Sequence, residues 1–322
     1  MPIDPAARLE RLMAKQEPKL RDAFLAMVAH VRAAVSLNVI ADMIEKGEWV
    51  KAFEMVMRGA PNILARASEQ AFIDAARDTA KVLNRAFGEV VIDFDLVNER
   101  AINAMRGNRL RLVTAINNQQ RETIRTAILE GMQEGMNPRD IARRFRDSIG
   151  LTPNQQRAVD NYRKALSGLD RRALERALRD KRFDSTVLNA IESGKKLDAA
   201  QINKMVGRYY DRMLKYRSEV IARTEALRAV HQGAETMYLQ AIDEGELSAD
   251  QLTREWNTAK DERVRGSHRA MHGQVQPFGQ PFISGKGNAL RYPGDPEAPP
   301  EETIQCRCSV GTRMTTAKRA MA

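Results

Sequence analysis

The chain is poor in cysteine, histidine and aromatic residues, and each shortage excludes something. Its only two cysteines, Cys306 and Cys308, form one C-x-C pair among 322 residues. A disulfide scaffold is therefore excluded, and so tight a loop does not close on itself with relaxed geometry. The pattern suits a reducing, cytoplasmic origin. Aromatics make up only 5 % of the residues, and no stacking motif for single-stranded nucleic acid is visible. The start, M-P-I-D-P-A-A-R-L-E, lacks the basic and then apolar run of a signal peptide. The most apolar stretch, Ala23 to Ile44, is interrupted by His30, Arg32, Asn38 and Asp42. It reads as a core helix, since a membrane span needs about 20 mostly apolar residues in a row. There is no Gly-x-Ser-x-Gly, no His-Glu-x-x-His and no phosphate loop; Gly285-Lys286-Gly287 lacks the frame of the last. Zinc-finger spacing and a helix-turn-helix are missing too, so any DNA binding would be non-specific.

What the chain has is length, helix formers and positive charge. Its size allows two domains with their own cores, at about 100–200 residues each. Ala, Arg, Leu, Glu and Met are plentiful, a helix-rich composition. The net charge of +10 points to a polyanion or an acidic protein surface as partner. That charge is localised. Residues 98–182 carry 19 Lys+Arg against 10 Asp+Glu, whereas residues 1–97 carry 13 against 14 and residues 183–322 carry 20 against 18.

Hydrophobic periodicity predicts helices across residues 6–87, with Leu9, Leu12, Met13 and Leu20 and then Phe24, Met27, Val28, Val31 and Val35 on one face. Pro18 and Pro61 are expected near helix starts. Val90 to Leu96 reads as a short strand or extended linker at a domain boundary. Asn137-Pro138 and Thr152-Pro153, with Asp140 and Gln155 at the third helical position, predict helices over about 138–147 and 153–166. Further helices are expected over about 168–180, 184–193, 198–213 and 216–243. Beyond Gln274 the rising Gly and Pro content predicts loop and short strand, closing on the β-favouring T-I-Q-C-R-C-S-V. The fold class is thus mainly α, with helical N-terminal and middle regions before a small α+β C-terminal domain carrying a long Gly/Pro-rich loop.

Two constellations could carry chemistry. Arg139, Arg143 and Arg146 share a helix face, and Arg172, Arg176 and Arg179 repeat the spacing, with Lys181 and Arg182 beyond. Such rows suit phosphate contacts, which bind DNA without reading its sequence. Interleaved Glu175 and Asp180 allow the alternative of a solvated face with local ion pairs. The second constellation is His268, His272, Cys306 and Cys308: histidines at i and i+4 with two thiols on a returning strand supply the four ligands of structural zinc. The alternative is a buried thiol pair with His268 satisfied by a carboxylate. An enzyme reading, a metal-dependent hydrolase or transferase, would add Asp261 or Glu225 as general base. A structural reading has Asp261 and Arg265, at i and i+4, bracing the turn into the Gly273 loop.

The phrases Trp256, Asp261-x-x-Val264-Arg265-x-x-His268, Gly273, Phe278 or Phe282, Pro293-Gly294-Asp295-Pro296 and Cys306-Arg307-Cys308, preceded by Ile221 to Ala226 (I-A-R-T-E-A), occur in one order. In that order they resemble the C-terminal domain of the phage Mu F-like minor head, or head morphogenesis, proteins over about 217–312. The resemblance implies a structural motif of Trp256, Asp261, Arg265, His268, Gly273, Cys306 and Cys308, acting as a folding and recognition module rather than a catalyst. It implies a virion protein inside the phage head, made in the host cytoplasm, aiding head assembly and DNA packaging or ejection. Its partners would be the portal or major capsid protein and packaged double-stranded DNA, with no membrane in the assembled head. The expected divisions are then 1–89 for helical docking, 90–216 as a basic helical middle, 217–312 as the C-terminal domain and 313–322 as a basic tail with Arg313, Lys318 and Arg319.

Overall fold

The computed structural model describes residues 4–87 and 92–314. Along the chain run α1 (Pro5–Ala33), α2 (Leu37–Glu45), α3 (Trp49–Met57), α4 (Pro61–Phe87), α5 (Glu99–Gln133), α6 (Pro138–Ser148), α7 (Pro153–Ser167), α8 (Asp184–Ser193) and α9 (Ala199–Asp243). The C-terminal part holds β1 (Leu252–Asn257), α10 (Gly266–Arg269), β2 (Val275–Pro277), β3 (Phe282–Ile283), β4 (Ala289–Leu290), α11 (Pro300–Thr303) and β5 (Ser309–Met314). The chain is mainly α with a small α+β C-terminal part, as expected. No single helix among the described residues is long and apolar enough to cross a membrane.

These elements form two compact units that interleave along the sequence. One comprises Met1–Phe24, Asn62–Leu112 and Val220–Ala322; the other, Leu25–Pro61 and Val113–Glu219.

In the first unit the amphipathic start of α1 and the whole apolar face of α4 bury Leu12, Leu20, Phe24, Leu64, Phe72 and Leu83. Asp78 of α4 pairs with Arg8 and Arg11 of α1, each at 2.7 Å. Gly233 lets α9 meet α4 backbone to backbone: a Cβ there would lie 2.4 Å from the Phe72 carbonyl oxygen. That contact explains a glycine inside a helix, where it costs about 1 kcal/mol against alanine. Of the expected strand Val90 to Leu96, Val90 and Val91 lie outside the described residues. The rest forms no strand: Ile92 to Asp95 are irregular and Leu96 begins a turn, with Asn84 clamping Ile92 through N–H to Oδ1 at 2.7 Å and Nδ2 to carbonyl at 2.8 Å. The C-terminal strands of this unit form an antiparallel sheet in the order β2-β1-β5, plus the β3-β4 pair. Register runs Thr253 to Pro277 and Trp256 to Val310.

In the second unit the two predicted caps are in place. The Asn137 side chain accepts the Asp140 N–H, and Thr152 and Gln155 form a reciprocal capping box. Its core gathers Leu151, Val159, Tyr162, Leu166, Val187, Met205, Val206 and Tyr209, with the Tyr162 and Tyr209 rings 4.6 Å apart. Helix α8 falls on the predicted residues.

Four local expectations are corrected. Residues 168–180 are not a helix but a 3-10 turn at Arg171–Glu175 and loop. Leu169 takes a left-handed φ of 53°, and the Asp170 side chain captures the Arg172 N–H, competing with helical bonding. The two helices expected over 198–243 are one, α9, since no Gly or Pro interrupts Met213 to Ser218. Pro18 lies inside α1 rather than at a start, removing one backbone bond. The closing strand begins only at Ser309, after the cysteines; Glu302 and Thr303 belong to α11.

Candidate metal centre

Three of the four sequence-predicted ligands converge in the first unit. Strand β1 alternates buried and half-buried residues, which puts Leu252, Arg254 and Trp256 inside. Trp256 is fully buried and meets the His268 ring edge to face at 5.5 Å and Phe282 at 5.3 Å. The turn after α10 is closed by Gly273, whose φ is +78° and whose N–H donates to the Trp256 carbonyl at 2.8 Å. His268, on the one-turn helix α10, is 1 % exposed. Its Nδ1 lies 3.5 Å from Cys306 Sγ and 3.4 Å from Cys308 Sγ, and the three potential ligand atoms all lie within 4.8 Å of one another. In a tetrahedral zinc site with bonds of about 2.3 Å to sulfur and 2.0–2.1 Å to nitrogen, the nitrogen–sulfur edge is about 3.6 Å. The spacing fits.

The opposite ring nitrogen of His268 lies 3.0 Å from Glu302 Oε2. Glu302 is fully buried and accepts from Ser267 Oγ at 2.8 Å, Ser284 Oγ at 2.9 Å and Asn288 Nδ2 at 3.0 Å. Burial pushes its carboxyl up, but those hydrogen bonds and His268 outweigh it and hold the group below the usual glutamate range. A carboxylate behind a ligating histidine fixes the ring's tautomer and orientation. The Cys306 thiol is held well below the ordinary thiol range by the hydrogen bond from Cys308 and by His268, against burial. Cys308, hydrogen-bonded to Cys306 and buried, is pushed the other way.

His272, the fourth expected ligand, is not in the cluster. Helix α10 ends at Arg269, so the i, i+4 relation does not hold, and His272 Nδ1 instead accepts the Thr258 N–H at 3.3 Å. The carboxylate on His268 is Glu302, not Asp261 or Glu225. Glu225 belongs to a buried group with Arg228 at 2.5 Å and Arg111 at 2.9 Å. Asp261 and Arg265 do not brace one another. Asp261 pairs with Arg307, while Arg265 donates to the carbonyls of Glu302, at 3.2 Å, and Ile304. The loop is pinned all the same, by bonds of longer range.

Arg254 and Glu302 escaped the motif reading, and the structure shows what the Pro293–Pro296 phrase and Gln305 do. Arg254, 1 % exposed, sits on the Phe278 and Phe282 rings and bonds Glu235, the Arg291 carbonyl and the Gln280 carbonyl. The Pro293–Pro296 loop rests on α9: Gly294 has φ +82°, its Cβ would lie 3.2 Å from the Arg228 backbone, and its carbonyl accepts from Arg228 Nε at 3.1 Å. Gln305, just before the cysteines, holds a left-handed φ of 54° and donates its N–H to Thr224 Oγ1 at 3.1 Å. The period-2 pattern of β1 could have revealed Arg254 as inward-facing; Glu302 carried no local signal.

Beside the cluster opens a cavity of about 410 Å³ lined by Arg223, Arg263, Val264, Arg265, His268, Gln305, Cys306, Arg307 and Cys308. Arg223 pairs with Glu17 at 2.7 Å.

The basic residues singled out for DNA lie in the second unit. Arg139, Arg143 and Arg146 are on α6, and Arg143 pairs with Asp140 and Arg146 with Asp147 at 3.3 Å. Arg172, Arg176 and Arg179 do not share a helix face, because their segment is not a helix. Arg172 pairs with Asp170 at 2.5 Å, Arg179 with Asp184 at 2.9 Å and Arg182 with Asp180 at 2.6 Å. Arg139, Arg176 and Lys181 form no ion pair among the described residues. Of the basic tail, Lys318 and Arg319 lie outside the described residues.

Residues 181–311 match the family model described as Phage Mu protein F like protein. The resemblance expected over 217–312 is borne out and reaches further towards the N-terminus. No curated protein and no solved structure matches the chain.

Proposed function

We propose, taking this chain as a phage Mu F-like protein, that it is a minor component of the phage head. It is built into the head interior beside the portal and aids assembly and the packaging or ejection of DNA. The observation that supports this most is the family match over residues 181–311, which contains every residue from Trp256 to Cys308. In this reading residues 1–89 dock on portal or coat protein and the basic residues of 98–182 face double-stranded DNA. The Trp256–Cys308 region serves as a recognition module whose loops are held by His268, Cys306 and Cys308 around a zinc ion. The test is mass spectrometry of purified DNA-filled heads, with and without the gene. The chain should be found at few copies per head, crosslinked to portal or coat protein, and heads made without it should be defective. Its absence from heads that assemble and package normally without it would overturn the reading.

The second reading is a metal-dependent hydrolase, favoured by the retreat of His272, since catalytic zinc keeps one position open. Against it, the cavity lining offers no carboxylate and no histidine beyond the ligand His268, and the Asp261 carboxylate beside it is held by Arg307 and Arg263.

A further inference from the structure

We infer that the His268–Cys306–Cys308 centre binds its metal through three protein ligands only, and that its fourth position, facing the arginine-lined cavity, takes a phosphate-class oxyanion. The inference rests on the zinc reading of this site and names what completes it. Ligand count comes first. The three donor atoms lie within 4.8 Å of one another, and His272 is turned to the Thr258 N–H. Glu302 is occupied by two hydroxyls, an amide and the far nitrogen of His268. Neither residue lines the cavity, which His268, Cys306 and Cys308 all do. A tetrahedral ion seated on these three would have one position left, and the cavity bordered by all three residues is the open space beside it.

The charge of the cavity decides what goes there. Arg223, Arg263, Arg265 and Arg307 line it. Their carboxylate partners are Glu17 on Arg223, and Asp261, shared between Arg307 and, at 3.8 Å, Arg263. Arg265 is spent on two backbone carbonyls, which leave its charge unmatched. Four positive charges thus face two negative ones. Zinc with two thiolates and a neutral imidazole adds none, and the Glu302 carboxylate behind His268 adds a third negative charge, so one positive charge is left over. An anion balances that excess, and a phosphate group, which carries between one and two negative charges at neutral pH, does so with oxygens to spare for several arginines. Guanidinium forks also match phosphate oxygens two at a time. Arg263, whose side chain is 74 % exposed, is the most solvent-facing of the lining arginines with an ion pair, and its pairing with Asp261 is loose at 3.8 Å.

The experiment uses the full chain, purified without phosphate, loaded with zinc for metal analysis and with cobalt(II) for spectroscopy. One metal per chain is expected, with a thiolate-to-cobalt charge-transfer band lost in Cys306→Ser and kept in His272→Ala. Inorganic phosphate should then shift the cobalt ligand-field bands in a saturable way, and sulfate-free acetate at equal concentration should not. Arg263→Ala should keep the metal but weaken the phosphate midpoint about tenfold, the worth of one charge-assisted hydrogen bond. No bound metal would overturn the centre itself. Bound metal with bands unmoved by phosphate, or lost in His272→Ala, would overturn the three-ligand anion site while leaving zinc in place. An equal response to acetate would reassign the ligand to a carboxylate. None of these results bears on whether the chain is found in heads, so failure here and failure of the head assignment are distinguishable.

Discussion

The centre of the C-terminal region is organised around side chains that carry no charge balance of their own. Trp256 is the largest fully buried side chain, and it touches both His268 and Phe282, so it connects the sheet to the donor cluster. Its replacement by alanine leaves a cavity and removes the edge-to-face contacts. Trp256→Ala should cost about 3–5 kcal/mol, read as a lowered melting transition of the C-terminal region; an unchanged melt would remove Trp256 from the core. Trp256 was singled out in the sequence by its motif, and the alternation of β1 sets it with Leu252 and Arg254 on the inner face. Glu302 was not. It sits 34 residues after His268, in a Pro-rich stretch without periodicity, and only the return of the chain through the β3-β4 pair brings it beneath the ring.

Among the elements, the long helix α9 shows how packing overrides propensity at one glycine and not at another. Gly233 faces the Phe72 carbonyl at a distance no Cβ tolerates, whereas Gly207, exposed on the same helix, has nothing near it. Gly207→Ala should stabilise by about 0.5–1 kcal/mol through helix propensity. Gly233→Ala should destabilise by about 1–3 kcal/mol, since α4 and α9 must separate to admit it. Denaturant unfolding of the two variants checks the pair, and equal effects would mean that α4 and α9 do not meet there. Caps were readable because they are local: Asn137 and Thr152 each satisfy a backbone donor three residues on. The segment 168–180 is not the expected helix because Leu169, Asp170 and Asp180 commit the backbone to turns.

At the scale of the whole molecule the positive charge is better neutralised than its sequence distribution suggests. If all eight basic residues singled out for DNA met phosphates, the logarithm of the affinity would fall against the logarithm of salt with a slope of about −7. Arg143, Arg146, Arg172, Arg179 and Arg182 are paired with carboxylates, leaving Arg139, Arg176 and Lys181. Binding to duplex DNA should therefore be sequence-independent with a slope of about −3, measured by fluorescence anisotropy across a salt series. A slope near −7 would show the ion pairs opening to DNA, and absence of binding at low salt would remove DNA from the partners.

The sequence by itself determined the helical class, the capped starts of α6 and α7, the span of α8 and the three donors His268, Cys306 and Cys308. Each of these rests on interactions within a few residues or on an amino-acid type with narrow chemistry. Only the tertiary structure decided that α10 stops after one turn and strands His272 outside, that Glu302 takes the place expected of Asp261 or Glu225, and that Arg307 rather than Arg265 holds Asp261. Those outcomes depend on where a chain of loops returns in space, and the free energy that selects them is shared among contacts 30 or more residues apart. No local pattern records such contacts.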